Sequence, residues 1–327
     1  LALRAKNQLT PGPSLLRKEG SEKGRNIFKP SFRRRRREGG QAQRRPGELT
    51  LRATPPQQIV LILWFLNLLL LMKIFALGEG SYSVDATKKF IPFNPETDNY
   101  RERPASLFIH VNPFLIKTDT DLIVLDTGLG YKDTRDELFI HQHIRNAGFD
   151  PADVTLVLMS HLHYDHSGGL VVERNGKLEP SFPKAQHVIQ KGEWETAISG
   201  KSTSYHKEIF EALQGTVNIT FVEGEGQLQT GIRYELSGGH CPFHQVFWME
   251  IEGEKCFFGG DELPEPEQLI RKFVAKYDYD GRKAMQLREE YGKRAAEEGW
   301  TCLFYHAKSL AIGKVNYQDD HFRVIPV

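Results

Sequence analysis

The sequence predicts an α/β (α+β) domain arranged as a four-layer αββα sandwich, and three observations carry that reading. Two runs of strand-like segments, one before and one after residue 180, are each followed by helical segments, which suggests two sheets packed together with helices outside. Residues 72–327 supply enough chain to bury one large core. A short, almost wholly apolar strand over 153–159 runs straight into a dense histidine and aspartate cluster, which places a polar site at the edge of a sheet.

In chain order, residues 72–77, 106–117 and 121–126 read as strands, with Asp119-Thr120-Asp121 as a hairpin turn. Apolar residues at 138, 140 and 144 and a stop at Gly148 predict a helix over 133–147. The buried strand over 153–159 follows. After residue 180 the pattern repeats: 186–190 is a strand, and 193–214 is mostly helical with a break at Gly200-Lys201-Ser202-Thr203-Ser204. Residues 218–223 and 232–236 are strands, and 245–251 with 255–258 form a hairpin turned at Glu252-Gly253-Glu254. Residues 265–273 and 281–298 are helical, the second with charged pairs at helical spacing that read as a solvated face. A strand over 300–305 closes the domain.

Composition bounds the rest. Of the 327 residues 39% are apolar, which excludes collagen-like, wholly disordered and small disulfide-stapled chains. The formal charge of +1 hides a division: residues 1–57 carry fifteen Lys and Arg against four Glu, a net +11, and the remainder is −10. Three cysteines, at 241, 256 and 302, have no C-x-x-C spacing, so a reducing compartment fits and neither a disulfide framework nor a cysteine zinc knuckle does. Residues 1–58 lack apolar periodicity and are expected to be disordered. No aromatics interleave with the Arg33–Arg37 run, so nucleic acid is not an expected partner.

An apolar run over 59–72 has one polar member, and reaches nineteen residues if extended through Leu77. That is borderline for a membrane-spanning helix, which needs about 20, and ample for a signal core. The first Met is Met72, and strand-like sequence begins there. The expectation is therefore that 1–71 is a non-native extension and that the 72–327 domain is cytoplasmic. The competing reading is a domain anchored to a membrane or exported through residues 59–77.

The chemistry lies in Ser160-His161-Leu162-His163-Tyr164-Asp165-His166-Ser167-Gly168-Gly169. Four imidazole or carboxylate groups within six residues at a strand mouth need a partner for their polar atoms, and a divalent metal is the economical one. Zn²⁺ accepts both His nitrogen and Asp oxygen. A solvated patch of histidines would not require this density.

The H-x-H-x-D-H pattern after an apolar strand resembles the signature of the metallo-β-lactamase superfamily, and residues 72–327 are similar to a member throughout. Further correspondences are Leu125-Asp126-Thr127-Gly128, Gly239-His240, Gly260-Asp261 and Phe304-Tyr305-His306. The resemblance implies two divalent ions, Zn²⁺ first among candidates. His161, His163 and His240 would hold one, Asp165, His166 and His306 the other, and Asp261 would bridge. A hydroxide between the ions would attack, with Asp165 and Asp261 as the catalytic carboxylates. Asp126 would accept from a ligand imidazole and fix its tautomer. His244, in His240-Cys241-Pro242-Phe243-His244, takes a structural hydrogen-bonding role.

Tyr164, Tyr205 and His206 are the expected substrate contacts, from their placement in or after the motif. Cys241 reads as a small buried residue. His141 and His143, at i and i+2 on a helix, are expected to face solvent, and His110, His187 and His321 to be structural.

Within the superfamily the pattern most resembles the quorum-quenching lactonase branch. One departure is specific: that branch carries a Tyr three residues after the bridging Asp, where this chain has Pro264. The implied reaction is hydrolysis of an ester-like bond in a small molecule, a lactone first. Thioester or β-lactam hydrolysis and phosphodiester cleavage are the alternatives, the last disfavoured by a net −10 over 58–327.

Overall fold

The computed structural model describes residues 72–327. The basic arm and the 59–71 part of the apolar run, and with them the expected non-native extension, lie outside the described residues. The first half of the domain runs β1 (Lys73–Ala76), β2 (Gly80–Val84), β3 (Phe90–Pro92), β4 (Leu107–Val111), β5 (Phe114–Lys117), β6 (Leu122–Leu125), α1 (Phe139–Asn146), β7 (Leu156–Leu158), α2 (Tyr164–Ser167), β8 (Val171–Arg174), β9 (Lys177–Pro180), β10 (Gln186–Gln190), α3 (Lys191–Ile198), α4 (Lys207–Leu213) and β11 (Asn218–Val222). The second runs β12 (Gly226–Gln229), β13 (Ile232–Leu236), β14 (Gln245–Ile251), β15 (Glu254–Phe258), α5 (Glu267–Ile270), α6 (Gly281–Glu298), β16 (Thr301–Leu303), β17 (Ile312–Gln318) and β18 (His321–Pro326).

The halves correspond to two sheets, ordered β1-β5-β6-β7-β10-β11 and β12-β13-β14-β15-β16-β17-β18. Side-chain alternation along each strand divides the apolar residues between faces. Ile123, Leu125 and Leu158 of the first sheet meet Phe247, Met249 and Phe258 of the second in one fully buried core. The opposite faces carry the helices: Leu122, Val124 and Val157 pack under Ile140, Trp194 and Phe210, while Val246, Trp248 and Phe257 pack under Tyr291 and Ala295 of α6. The predicted αββα layering is therefore present. A third sheet, β3-β2-β4, and the β8-β9 hairpin are additions the sequence reading lacked.

Several boundaries differ from expectation. The single strand over 106–117 is two strands in different sheets, broken at Asn112-Pro113. The break has a use, because the Asn112 side chain donates to the carbonyls of Tyr305 and Ala307 at 2.9 Å. The helix expected over 133–147 begins only at Phe139, since the Asp133 carboxylate accepts from the N–H groups of Arg135 and Glu137 and holds a turn there. Residues 265–273 hold one helical turn, α5. Nor does 300–305 close the domain: a β17–β18 hairpin follows, turned at Asp319 and Asp320 with φ of 51° and 59°.

Among the described residues no helix is long and apolar enough to cross a membrane. The described end of the 59–77 run is strand β1, paired antiparallel with β5.

Candidate metal centre

The site gathers at one edge of the sandwich, where β6, β7, β15 and β16 end. Strands β6 and β7 run parallel, as do β15 and β16, so Asp126, Ser160, Gly260 and His306 leave their strands at the same edge. His240 comes from the loop between β13 and β14. The 160–169 turn is clamped from below by backbone. Thr127 N–H donates to the His166 carbonyl at 2.7 Å, and a Cβ on Gly169 would lie 2.0 Å from the Thr127 carbonyl oxygen, so only glycine admits this approach. Asp126 itself sits at φ 52°, a left-handed conformation that aims its carboxylate under the motif.

Two groups of atoms converge. His161 Nε2 and His240 Nε2 lie 3.0 and 3.2 Å from His163 Nδ1. Asp165, His166 and His306 form the second group, with His166 Nε2 and His306 Nε2 at 3.7 and 3.5 Å from Asp165 Oδ2. Asp261 belongs to both: its Oδ1 is 3.1 Å from His166 Nε2 and 3.0 Å from His306 Nε2, and its Oδ2 is 3.3 Å from His240 Nε2. The four motif residues and the three that the family resemblance added thus face one centre.

The outer nitrogens of four of these imidazoles are anchored, which turns the inner nitrogens toward that centre. Asp126 Oδ2 accepts from His166 Nδ1 at 2.7 Å. The Ser160 hydroxyl donates to Asp126 at 2.6 Å and accepts from His161 Nδ1 at 3.0 Å. Asp278 Oδ1 takes His240 Nδ1 at 3.0 Å, and the His110 carbonyl takes His306 Nδ1 at 2.6 Å. Each Nε2 is left as a lone-pair donor. His166 Nε2 and Asp261 Oδ1 are buried without a hydrogen bond of good geometry, as expected of atoms whose partner is an ion. The residues present fit a pair of divalent cations.

Electrostatics agree. Burial, reinforced by His166 and the other imidazoles around it, holds His161 well below its ordinary pKa and so keeps it neutral. Burial opposes charge on His166 too, yet Asp261, Asp165 and Asp126 together push it well above the usual value. Burial alone would raise Asp261, but His306, His166 and His240 hold it well below the usual carboxylate range. The site is a buried cluster in which carboxylates and imidazoles set one another's charge.

The remaining predicted residues divide. His244 is fully buried, bonded to the Ser237 hydroxyl at 2.8 Å and accepting from Asp261 N–H at 3.1 Å, so it has the expected hydrogen-bonding role. Tyr164 and Tyr205 line a cavity of about 640 Å³ over the centre, with Tyr205 edge-on to His163. His206 does not line it and stacks instead on Tyr164 at 3.9 Å. His141 is a correction: it is buried against Phe182, because i and i+2 on α1 point to different sides and this one faces the core. Cys241 is buried, and all three cysteines are free.

Sequence reasoning missed Ser160, Glu193, Glu262, Asp278 and Arg288. Glu193, buried on α3, accepts from Leu162 N–H at 3.0 Å inside the motif and from Cys241 Sγ at 3.5 Å beside His240. Burial pushes its carboxyl up. The available signal was an acid at the start of a helix whose neighbours Trp194 and Ala197 are core.

A family profile described as the metallo-beta-lactamase superfamily matches residues 108–306. The N-acyl homoserine lactonase AiiA of Bacillus thuringiensis subsp. kurstaki is 26% identical over 160 residues, covering 42% of this chain and 58% of that protein. The N-acyl homoserine lactonase AttM of Agrobacterium fabrum is 33% identical over 123 residues, covering 34% and 42%. This chain thus spans less than two thirds of the length of either relative. Among solved structures, a probable metal-dependent hydrolase from Staphylococcus aureus superposes with a TM-score of 0.62 at 24% identity, covering 78% of this chain and 97% of that one. AidC, a dizinc quorum-quenching lactonase, gives 0.60 at 23% identity, covering 78% and 94%. These structural likenesses establish a shared fold.

Proposed function

The chain belongs to the metallo-beta-lactamase superfamily, and from that premise we propose that it is a binuclear metal-dependent hydrolase of small molecules that opens an ester-like bond, a lactone first. The observation that carries the reading is Asp261, whose two oxygens face two separate ligand groups beneath a single cavity. Zn²⁺ suits the donor set of imidazole nitrogen and carboxylate oxygen. When bound, two such ions polarise the scissile carbonyl and bring the pKa of attacking water near neutrality.

The chain's own residues do the rest. Asp126, Ser160, Asp278 and the His110 carbonyl hold four imidazoles in one tautomer. Asp165 lines the cavity beside His306 and is the carboxylate placed to pass a proton to the leaving oxygen. The Tyr305 hydroxyl donates to the Asp165 carbonyl at 2.7 Å and steadies it. One wall of the cavity is apolar, formed by Val84, Phe90, Leu107 and Ile109 of the small sheet, which favours a substrate with an apolar substituent. The lactonase relatives support a lactone as the reacting group.

Metal analysis of the purified chain, followed by assay against lactones, esters, thioesters, β-lactams and phosphodiesters, tests the proposal. Two divalent equivalents and lactone opening are expected. A metal-loaded protein that cleaves only phosphodiesters would overturn it.

A further inference from the structure

His240 sits on an intrinsically loose segment, following Gly238 and Gly239, yet it must present Nε2 to within hydrogen-bond distance of His163 and Asp261. Four contacts tie its backbone. Glu262 Oε2 accepts from the N–H groups of Gly239 and His240 at 3.1 and 3.3 Å, and the N–H groups of Tyr279 and Asp280 donate to the carbonyls of His240 and Gly239 at 2.9 and 2.8 Å. Its ring is held by Asp278 Oδ1 at 3.0 Å. The other Asp278 oxygen receives Arg288 Nη2 at 2.8 Å, and Arg288 Nε donates to the Glu262 carbonyl at 2.9 Å. The side chains of Asp278 and Arg288 are 0% and 2% exposed, so this pair is shielded from water.

The other anchored imidazoles differ. His161 and His306 rest on a hydroxyl and a backbone carbonyl, and His166 on a carboxylate whose own partners are the neutral groups of Ser160. Among the four, His240 alone depends on a carboxylate paired with a guanidinium, supplied by a helix in the second half. We infer that the buried Asp278–Arg288 pair is a positioning device for His240, fixing its Nδ1–H so that Nε2 faces the three-histidine group, and thereby sets the cation affinity of that group selectively. Tyr277, Asp278 and Tyr279 also line the cavity. The device therefore joins the substrate wall to the cation site through a single segment. The inference rests on the two-cation reading above.

The test uses the full chain stripped of metal by chelation and titrated with Co²⁺, following the two equivalents by absorption and calorimetry. Asp278→Ala leaves Arg288 buried without its carboxylate, so Asp278→Asn/Arg288→Gln is measured beside it to remove both charges together. In both variants one equivalent is expected to weaken by about 10- to 100-fold while the other is unchanged. The metal-free double variant should unfold near the temperature of the metal-free wild type. Two equivalents bound as in wild type would overturn the inference. So would equal weakening of both with a lowered unfolding temperature in the double variant, which marks a structural role only. A wild type that binds no Co²⁺ would instead sink the two-cation reading, whereas a wild type that binds two and hydrolyses lactones, beside variants with unaltered affinities, would sink this inference alone.

Discussion

The two halves of the domain build their shares of the site differently. The first half delivers His161, His163, Asp165 and His166 from one turn after β7. There backbone packs on backbone, Gly168 and Gly169 lying against the carbonyls of Leu129 and Thr127, and the Asp126 and Glu193 carboxylates accept from the turn's own N–H groups. The second half delivers His240, Asp261 and His306 from three separate loops. Their geometry comes from side chains reaching across the fold, among them Glu262, Asp278 and Arg288. A local turn is precise because few conformations are open to it. Dispersed loops become precise only when buried, hydrogen-bonded carboxylates and a guanidinium over-determine them.

Asp261→Ala breaks the comparison at the one residue that joins the halves, and the largest effect is expected there. Removing the shared carboxylate leaves His166, His240 and His306 without their common anion. Activity should fall by about 10³-fold or more, with one metal equivalent lost on elemental analysis. Full activity with both equivalents retained would show that the groups function independently.

Gly169→Ala probes the first half alone. The added Cβ would meet the Thr127 carbonyl at 2.0 Å, and the atom it meets is backbone rather than the end of a side chain that could swing aside. A destabilisation of about 2–3 kcal/mol by urea unfolding is expected, with weakened binding at the Asp165–His166–His306 group. An unchanged midpoint would mean that the turn is less tightly packed than its carbonyl contacts imply.

The same division explains what the sequence discloses. The layers, the strands at 186–190, 232–236 and 245–251 and the helix over 281–298 follow from the apolar pattern, because 186–190 and 245–251 are short runs buried on both faces and the helix buries a single stripe. The four contiguous candidate ligands are legible as chemistry, since four polar groups in one turn cannot be explained by packing. His240, Asp261 and His306 are single residues in ordinary surroundings and emerge only through resemblance to a family. Asp278 and Arg288 give no local signal of that kind. One trace does exist: Arg288 lies on the buried stripe Ala284, Arg288, Tyr291, Ala295 of α6, where an unpaired cation would be untenable and a buried partner is required. The break at Asn112-Pro113 was hidden for the opposite reason, since two short strands in different sheets have the same apolar pattern as one long strand.

Two buried histidines outside the site sharpen the comparison by pH. Burial pushes His141 and His187 down to about 4, whereas the unfolded chain titrates them near 6.5. Between those values the unfolded state binds more protons, so each histidine makes stability rise with pH and fall as the solution is acidified from 6.5 toward 4. Glu79 works the other way: burial raises its carboxyl to about 8, so its contribution declines as pH rises through that range. A wild-type and His187→Gln difference cancels the Glu79 effect. From pH 7 to pH 5 the wild type should lose about 2 kcal/mol more than the variant, read from paired urea curves. Parallel pH profiles would show that His187 is protonated in the folded chain.

The smallest effect is expected where neither half is involved. Leu107 belongs to the small β2–β4 sheet, is 46% exposed, and forms part of the apolar cavity wall. Truncating it to Ala touches no ligand and no residue that anchors one, so metal content and stability should stay at wild-type values. An apolar substituent lying on this wall would lose contact with the removed carbons. At about 0.8 kcal/mol per buried CH₂, reduced because the site is half open, the loss amounts to about 1 kcal/mol, or roughly a fivefold rise in KM. A lactone with a short substituent does not reach the wall and should show no change. The diagnostic is therefore the ratio of kcat/KM between long- and short-chain lactones, which should fall about fivefold in Leu107→Ala. A ratio that stays constant while both substrates slow together would place the substituent elsewhere in the cavity and reduce the small sheet to a structural cover.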